Sequence, residues 1–261
     1  DNKNLPTIYI ITPTYSRLVQ KAELTRLTYT LKLVQCIHWI VVEDSTIKTQ
    51  LVKRLLAKSN LKYTHLNVLT PPEYKLGISE KRWRKPRGVL QRNEGLRWLR
   101  SNKKLILSGS EGGVVYFADD DNTYDVQLFD EMRSTKKVSV WPVGFVGKLR
   151  YESPIVGDGR VVDWFTYSKS NRTFATDMAG FAVNADLMIN SKVEFSVKSS
   201  RGMQENDFLV KLKITLNDLE PKADLCTKVL VWHTQTMEPN VKNEELLMKF
   251  GKSGSNLNIE I

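Results

Sequence analysis

Nothing in this chain runs apolar for long. Across its 261 residues no apolar stretch approaches the roughly 18–20 residues that cross a bilayer, so no membrane span is expected within it. Cysteine is scarce: Cys36 and Cys226 stand far apart and match no zinc or redox spacing, which excludes a disulfide scaffold or a zinc module. Both are read as buried thiols, with one bridge open to them in an oxidising compartment. The three histidines, His38, His65 and His233, are too scattered for a histidine-rich metal site. There is no internal repeat, no low-complexity segment and no Ser-His or Cys-His arrangement for nucleophilic catalysis. No signal-peptide pattern is present and the first residue is Asp1. A trimmed soluble portion is therefore expected, its targeting information lying further N-terminal.

What is present describes an ordered globule. A hydrophobic content of 41% with 9% aromatics is too high for a disordered tail, and the length suits one large domain or two joined halves. The formal charge of +10 points to an anionic partner: a nucleotide, a polyanionic chain, nucleic acid or a membrane surface. Charge alone does not choose among them.

The most informative stretch is Val114-Val115-Tyr116-Phe117-Ala118-Asp119-Asp120-Asp121-Asn122. It reads as a buried strand that ends in three carboxylates and an amide. In open α/β sheets, ligands collect beyond the C-terminal ends of strands. Three adjacent negative charges repel, so they need a cation or basic groups beside them. Oxygen ligands alone favour a hard divalent ion, Mg²⁺ or Mn²⁺. In extended backbone Asp119 and Asp121 face one way and Asp120 the other; Asp121, at the loop margin, is the expected ligand. The plainer alternative is a solvated turn before a helix over residues 125–133.

Strand-like and helix-like segments alternate through the first half. Residues 7–12 read as a strand stopped by Pro13, 21–33 as a helix on Leu24, Leu27 and Leu31, and 38–42 as a strand ending in Glu43-Asp44-Ser45. Residues 50–58 read as a helix, 65–69 as a third strand and 89–100 as a helix. Such alternation implies a mostly parallel, twisted sheet. Pro13-Thr14-Tyr15, Asp44 and Asp119–Asp121 would then converge on one edge. The second half reads as mixed: strands over 138–146, 161–167 and 179–183, a helix over 205–213, and a hairpin turn at Gly157-Asp158-Gly159. Residues 238–261 are polar with glycines and read as an extended arm. The expected division is an alternating first half, 1–121, and a mixed second half with the C-terminal arm, 122–261.

Several side chains admit both a functional and a structural reading. Arg87 and Arg92 flank a helix start beside Gly88, where guanidinium forks could hold phosphate or carboxylate or form a solvated basic face with Lys81, Arg82, Arg84 and Lys85. Glu205 opens an apolar-periodic helix, either complementing its positive end or serving as a general base if burial raises its pKa. Glu152, Arg172 and Asp177 suit a sugar-binding surface or an ordinary one. His233 ends a strand over 228–232, where it could donate to a diphosphate or be structural.

Taken in order, these motifs resemble the β-1,3-glucuronyltransferases. The resemblance rests on Pro13-Thr14-Tyr15-Ser16-Arg17, Val42-Glu43-Asp44, Pro86-Arg87-Gly88, Gln91-Arg92-Asn93 and the Asp119–Asp121 stretch through Tyr124. It continues in Val138–Val143, Asp177–Asn184, Gln204-Glu205, residues 216–222 and Val231-Trp232-His233-Thr234, covering nearly the whole chain. It implies a GT-A fold, a Golgi membrane enzyme of type II, a homodimer, and Mn²⁺-dependent transfer of glucuronic acid from UDP-glucuronate to the 3-hydroxyl of a terminal galactose on a protein-borne glycan. Matched residue by residue, Pro13, Thr14, Tyr15 and Asp44 would hold uridine, and Arg87 and Arg92 the anionic donor. Asp119 and Asp120 would lie near the nucleotide sugar, Asp121 would ligate Mn²⁺ and His233 would touch the diphosphate. Asn122, Glu152, Arg172 and Asp177 would face the acceptor, with Glu205 as catalytic base.

The chain departs from the family pattern in places. Gln235 stands where the family has arginine two residues after the histidine, so one phosphate contact is expected to be rearranged. Residues 77–85 are unusually basic, and the sequon Asn171-Arg172-Thr173 contains an acceptor candidate and is expected to be unmodified in active enzyme. Residues 241–246 look more like the branch that completes the proteoglycan linkage tetrasaccharide than the branch that caps N-acetyllactosamine. A nucleic-acid-binding protein or metal nuclease would exploit the same charge, yet no recognised module or basic stripe is present. An inactive lectin-like binder would not need both Glu205 and Asp121.

Overall fold

The computed structural model describes residues 5–75, 85–107, 112–168, 172–200 and 202–252. The first half runs β1 (Thr7–Thr14), α1 (Gln20–Lys32), β2 (Ile37–Glu43), α2 (Gln50–Ser59), β3 (Tyr63–Asn67), α3 (Val89–Ser101), α4 (Lys103–Leu107) and β4 (Gly113–Phe117). Every residue of β2 and β4 is buried, the mark of strands covered on both faces. Alternation splits them between two cores: Ile8, Ile10, Trp39, Val41, Val114 and Tyr116 pack with Leu24 and Leu27 of α1. Tyr9, Ile11, Ile40, Val42, Val115 and Phe117 pack with Leu96 and Leu99 of α3. A Cβ on Gly95 would lie 2.7 Å from Ile11 Cγ2, so glycine permits the close seating of α3 on β1.

The chain continues through β5 (Thr123–Tyr124), α5 (Val126–Met132), β6 (Val138–Val140), β7 (Val143–Gly144), β8 (Tyr151–Gly157), β9 (Arg160–Phe165), β10 (Phe181–Asn184), α6 (Ala185–Asn190), α7 (Gln204–Lys211), β11 (Leu219–Pro221) and β12 (Val231–Trp232). The main sheet is ordered β11-β6-β10-β4-β1-β2-β3 and a smaller one β5-β12-β7-β8-β9. Pairing is parallel from β4 through β1 and β2 to β3, and antiparallel on either side of β10. The main sheet thus draws strands from both sides of Asp121. This is the α/β architecture expected, a mostly parallel sheet with a mixed second half.

Four local expectations are corrected. β1 runs through Pro13 to Thr14, because its odd residues face β4, and that strand stops opposite Ile11; the missing N–H falls where no partner remains. The stretch 138–146 is two strands in different sheets, since Pro142 breaks the ladder between β6 and β7. The C-terminal segment is not wholly extended: Lys242–Lys249 is helical. Cys36 is exposed, at φ 48°, instead of buried, whereas Cys226 is half-buried, its thiol pushed up to about 12 by burial. The hairpin turn is found where expected, joining β8 to β9 at Asp158-Gly159. Ala223, Asp224, Leu225 and Cys226 all carry positive φ, from 51° to 63°, making a left-handed turn without glycine. Among the described residues no helix is long and apolar enough to cross a membrane.

Candidate active site

The C-terminal ends of β1, β2 and β4 meet. The Asp44 N–H donates to the Thr14 carbonyl at 2.8 Å, and Thr14 Oγ1 donates to Asp120 Oδ2 at 2.6 Å. Asp44 Oδ1 accepts the Thr70 N–H at 2.7 Å, which fixes the loop beyond β3. Tyr15 stays 42% exposed with the Arg17 guanidinium over its ring, a free aromatic face at the edge of the crevice. Pro13 packs beneath Gly88: a Cβ there would lie 3.1 Å from the proline ring and 2.7 Å from Arg92 Nη1. With φ at +71° as well, only glycine fits this position.

The three aspartates are treated differently. Asp119 is paired with Arg92 at 2.5 Å. Asp120 is buried, as the alternation requires, and its oxygens are taken by Thr14 and by Arg17 Nη2 at 2.7 Å. Asp121 has no side-chain hydrogen bond or ion pair among the described residues. Burial, then Asp119, Asp120 and Glu23, push its carboxyl up to about 6, with His233 opposing. Its carbonyl accepts from Arg26 Nη2 at 2.8 Å and Thr234 Oγ1 at 2.9 Å, so its backbone is fixed while the carboxylate is unengaged. No group of three or more His, Cys, Asp or Glu forms a ready metal cage among the described residues. A lone oxygen donor crowded by negative charge suits a hard cation that takes its remaining ligands from phosphate and water.

Arg92 lies on α3, whereas Arg87 precedes the helix, exposed, and lends its carbonyl to Arg92 Nη1 at 2.9 Å. The two do not form a matched fork: Arg92 is committed to Asp119, and Arg87 faces solvent. His233 follows β12, its N–H donating to the Gly144 carbonyl at 2.9 Å.

Two acceptor-side candidates, Glu152 and Asp177, line a small cavity with Trp141 and Trp164. Thr166 Oγ1 donates to Glu152 Oε1 at 2.6 Å and accepts from Arg172 Nη2 at 3.3 Å, joining those two side chains. Arg172 also donates to the Ser168 and Gly202 carbonyls. Asp177 caps the 3₁₀ turn Met178–Gly180 through the Ala179 N–H at 2.9 Å. Burial raises its carboxyl; Asp119 and Glu152 push the same way, His233 the other. Asn122 is 3% exposed, and its amide makes no well-aligned hydrogen bond among the described residues, the neighbouring Tyr124 hydroxyl being the group it acts on. A buried amide left so costs stability unless a ligand completes it.

Glu205 stands in the first turn of α7. Desolvation is the main influence on its carboxyl and Asp177 the next, pushing it up to about 7, while Arg92 and Arg172 pull it down. A carboxyl poised there can exchange a proton at neutral pH. The interactions link Glu205 to Asp177, Asp177 to His233 and Asp119, and both of these to Asp121. Donor-side and acceptor-side residues share one electrostatic neighbourhood.

Some expectations fall on residues outside those described: Asn171 of the sequon, and residues 77–84. Other participants went unnoticed in the sequence. Glu43 is buried, accepting from Thr49 N at 2.8 Å and Oγ1 at 2.6 Å, with His65 Nε2 at 2.5 Å. Burial opposes ionisation, yet His65 and Thr49 hold the carboxyl below its usual range, bracing the strand end that bears Asp44. Glu23 is buried too. The available signal was a polar pair, Gln20 and Glu23, standing on the Leu24, Leu27 and Leu31 face of α1.

The open α/β sheet with polar residues gathered at its strand ends is a GT-A fold. A crystal structure of S. aureus TarS (residues 1–349) shares the fold, with a TM-score of 0.52 at 14% identity over 88% of this chain and 60% of that one. Residues 27–237 match Glycosyltransferase family 43, and the chain belongs to that family. It is 55% identical over 242 residues to galactosylgalactosylxylosylprotein 3-beta-glucuronosyltransferase 1 of Homo sapiens, covering 92% of this chain and 72% of that protein. It is 52% identical over 264 residues to galactosylgalactosylxylosylprotein 3-beta-glucuronosyltransferase 3 of Mus musculus, covering 98% and 78%.

Proposed function

We propose that this chain is an inverting glucuronosyltransferase that moves glucuronic acid from UDP-glucuronate to the 3-hydroxyl of a terminal galactose, completing the proteoglycan linkage tetrasaccharide. The observation that carries the reading is the shared neighbourhood of Glu205, raised to about 7, and the unengaged Asp121. Its 3-beta-glucuronosyltransferase relatives supply the sugar and the linkage.

In this mechanism Glu205 accepts the proton of the attacking hydroxyl as the glycosidic oxygen forms its bond to the anomeric carbon and UDP leaves. One in-line displacement needs no protein nucleophile. Glu152, Asp177, Arg172 and the buried Asn122 amide orient the galactose. Thr14, Tyr15 and Asp44 hold the uridine, and Arg87 and Arg92 face the donor's negative charges. Asp121 would hold Mn²⁺, which supplies charge neutralisation to the leaving diphosphate when bound, and His233 donates to the same diphosphate. A homodimer and a type II Golgi anchor outside this chain complete the reading.

A donor-by-acceptor matrix tests it. UDP-glucuronate should be turned over with Gal-β1,3-Gal-xyloside in the presence of Mn²⁺, and other UDP-sugars should not. Transfer to N-acetyllactosamine at equal kcat/KM would move the acceptor to the other branch. Salt-sensitive nucleic-acid binding with no UDP affinity would overturn the reading altogether.

A further inference from the structure

Three chain segments distant in sequence are laced together behind the aspartate loop, and one buried carboxylate joins them. Glu23 is 1% exposed in the first turn of α1. Its Oε2 accepts from Arg17 Nε at 3.0 Å and also from Nη2, and its Oε1 accepts the backbone N–H of Thr236 at 2.9 Å. The same Arg17 Nη2 reaches Asp120 Oδ1 at 2.7 Å. One turn along α1, Arg26 donates to the Asp121 carbonyl at 2.8 Å and to Thr236 Oγ1 at 3.4 Å. Thr234 closes the loop, donating to the Asp121 carbonyl at 2.9 Å and contacting Thr123 Oγ1 at 2.9 Å.

The first turn of a helix favours negative charge, but a carboxylate buried there on an apolar stripe is costly unless it is fully paired. Every oxygen of Glu23 is accounted for, and each partner belongs to a segment bearing a site residue: Arg17 leads to Asp120, and Thr236 to the exit after His233. Helix α1 is one of the main sheet's core-covering helices, so it is a rigid reference. The loop bearing Asp121 and the segment bearing His233 both hang from it.

We propose that Glu23 is a positioning residue for donor binding: it fixes the segment after His233 and the aspartate loop in one frame, so that Asp121 and His233 meet the same diphosphate. It touches no substrate. The inference rests on the reading of the donor as a nucleoside-diphosphate sugar.

Glu23→Gln keeps the shape and removes the charge. Calorimetry with UDP and Mn²⁺ should show affinity reduced about ten-fold, and the Mn²⁺ midpoint for UDP binding should rise by a similar factor. The KM for acceptor should stay within two-fold. Leu31→Ala, on the same helix two turns away, should lower the melting temperature yet leave UDP affinity intact, separating positioning from plain destabilisation. Hydrogen exchange reads the coupling without ligand: Glu23→Gln should speed exchange in residues 119–123 and 234–236 together. A folded Glu23→Gln with unchanged UDP affinity and metal midpoint overturns the proposal, as does acceleration confined to α1 and Thr236. Should Glu23→Gln not fold, Arg26→Ala, whose side chain is exposed, should weaken UDP binding about three-fold; an unchanged value overturns the proposal equally. A wild type that binds no UDP would sink the donor reading, while the exchange result would still decide the coupling.

Discussion

The donor edge and the acceptor edge handle buried negative charge in opposite ways. At the donor edge buried carboxylates are ion-paired: Asp119 has Arg92, while Asp120 and Glu23 share Arg17, although burial still raises the Asp120 carboxyl. Although burial opposes it, Asp120 and Glu23 keep the Arg17 guanidinium firmly protonated. At the acceptor edge Glu152, Asp177 and Glu205 have no ion pair among the described residues: Arg172 meets Glu152 only through Thr166 and acts on Glu205 at a distance, and burial lifts Asp177 and Glu205 above their ordinary range. The paired edge is a scaffold and the unpaired one is chemistry. Asp121 is the exception that marks where, on the scaffold side, a ligand must enter.

The sharpest way to break this contrast is Glu205→Gln. Removing a general base should cut transfer by roughly 10²–10⁴-fold, with UDP affinity retained in calorimetry. Arg17→Met acts on the other side. It leaves Asp120 and Glu23 buried without a cation, each keeping one hydrogen bond, from Thr14 and Thr236, and should cost roughly 3–5 kcal/mol of stability, read as a lowered denaturant midpoint.

The acidity of Glu205 gives a third test. A general base must be deprotonated, so log kcat/KM should rise with pH and level off above about 7. The same shift has a stability consequence of defined sign. A carboxyl raised from its ordinary 4.5 to about 7 binds its proton more tightly when folded, so stability falls as pH rises through that window. Glu205→Gln should therefore be more stable than wild type at pH 8, and the advantage should vanish at pH 4. Parallel pH profiles of stability for the two proteins would contradict the environment described.

The smallest effect lies away from both edges. Leu225 sits at φ 51° and is 52% exposed, a conformation that costs an L-residue roughly 1–2 kcal/mol. Leu225→Asn should recover up to about 1 kcal/mol, measured by chemical denaturation, with transfer unaffected.

How much of this was legible depends on where the information sits. Buried parallel strands announce themselves as unbroken β-branched runs, so β1, β2 and β4 and the meeting of their ends could be read directly. The Asp119–Asp121 alternation also survived contact with the fold. Two-residue strands such as β5 and β7 carry too little periodicity to be seen, and β8 was missed because its bulge between Ile155 and Val156 disturbs the alternation. The C-terminal helix has no buried residue and so no apolar stripe to reveal it. At the site, Glu205 and Asp177 could be named from motifs, but their acidity could not, since it depends on groups far off in sequence. Glu23 was visible only as an acidic residue on an apolar helix face, and its partner at Thr236 is a backbone amide.

Pro13 has a consequence for access. Parallel ladders lengthen by adding one donor after another, and a crevice between two strands is always at risk of being zipped shut. Here β4 stops opposite Ile11, and the next position of β1 on that side is a proline nitrogen with no hydrogen to give, so the ladder has no donor with which to lengthen there. The gap beyond these strand ends is kept from closing by the backbone itself.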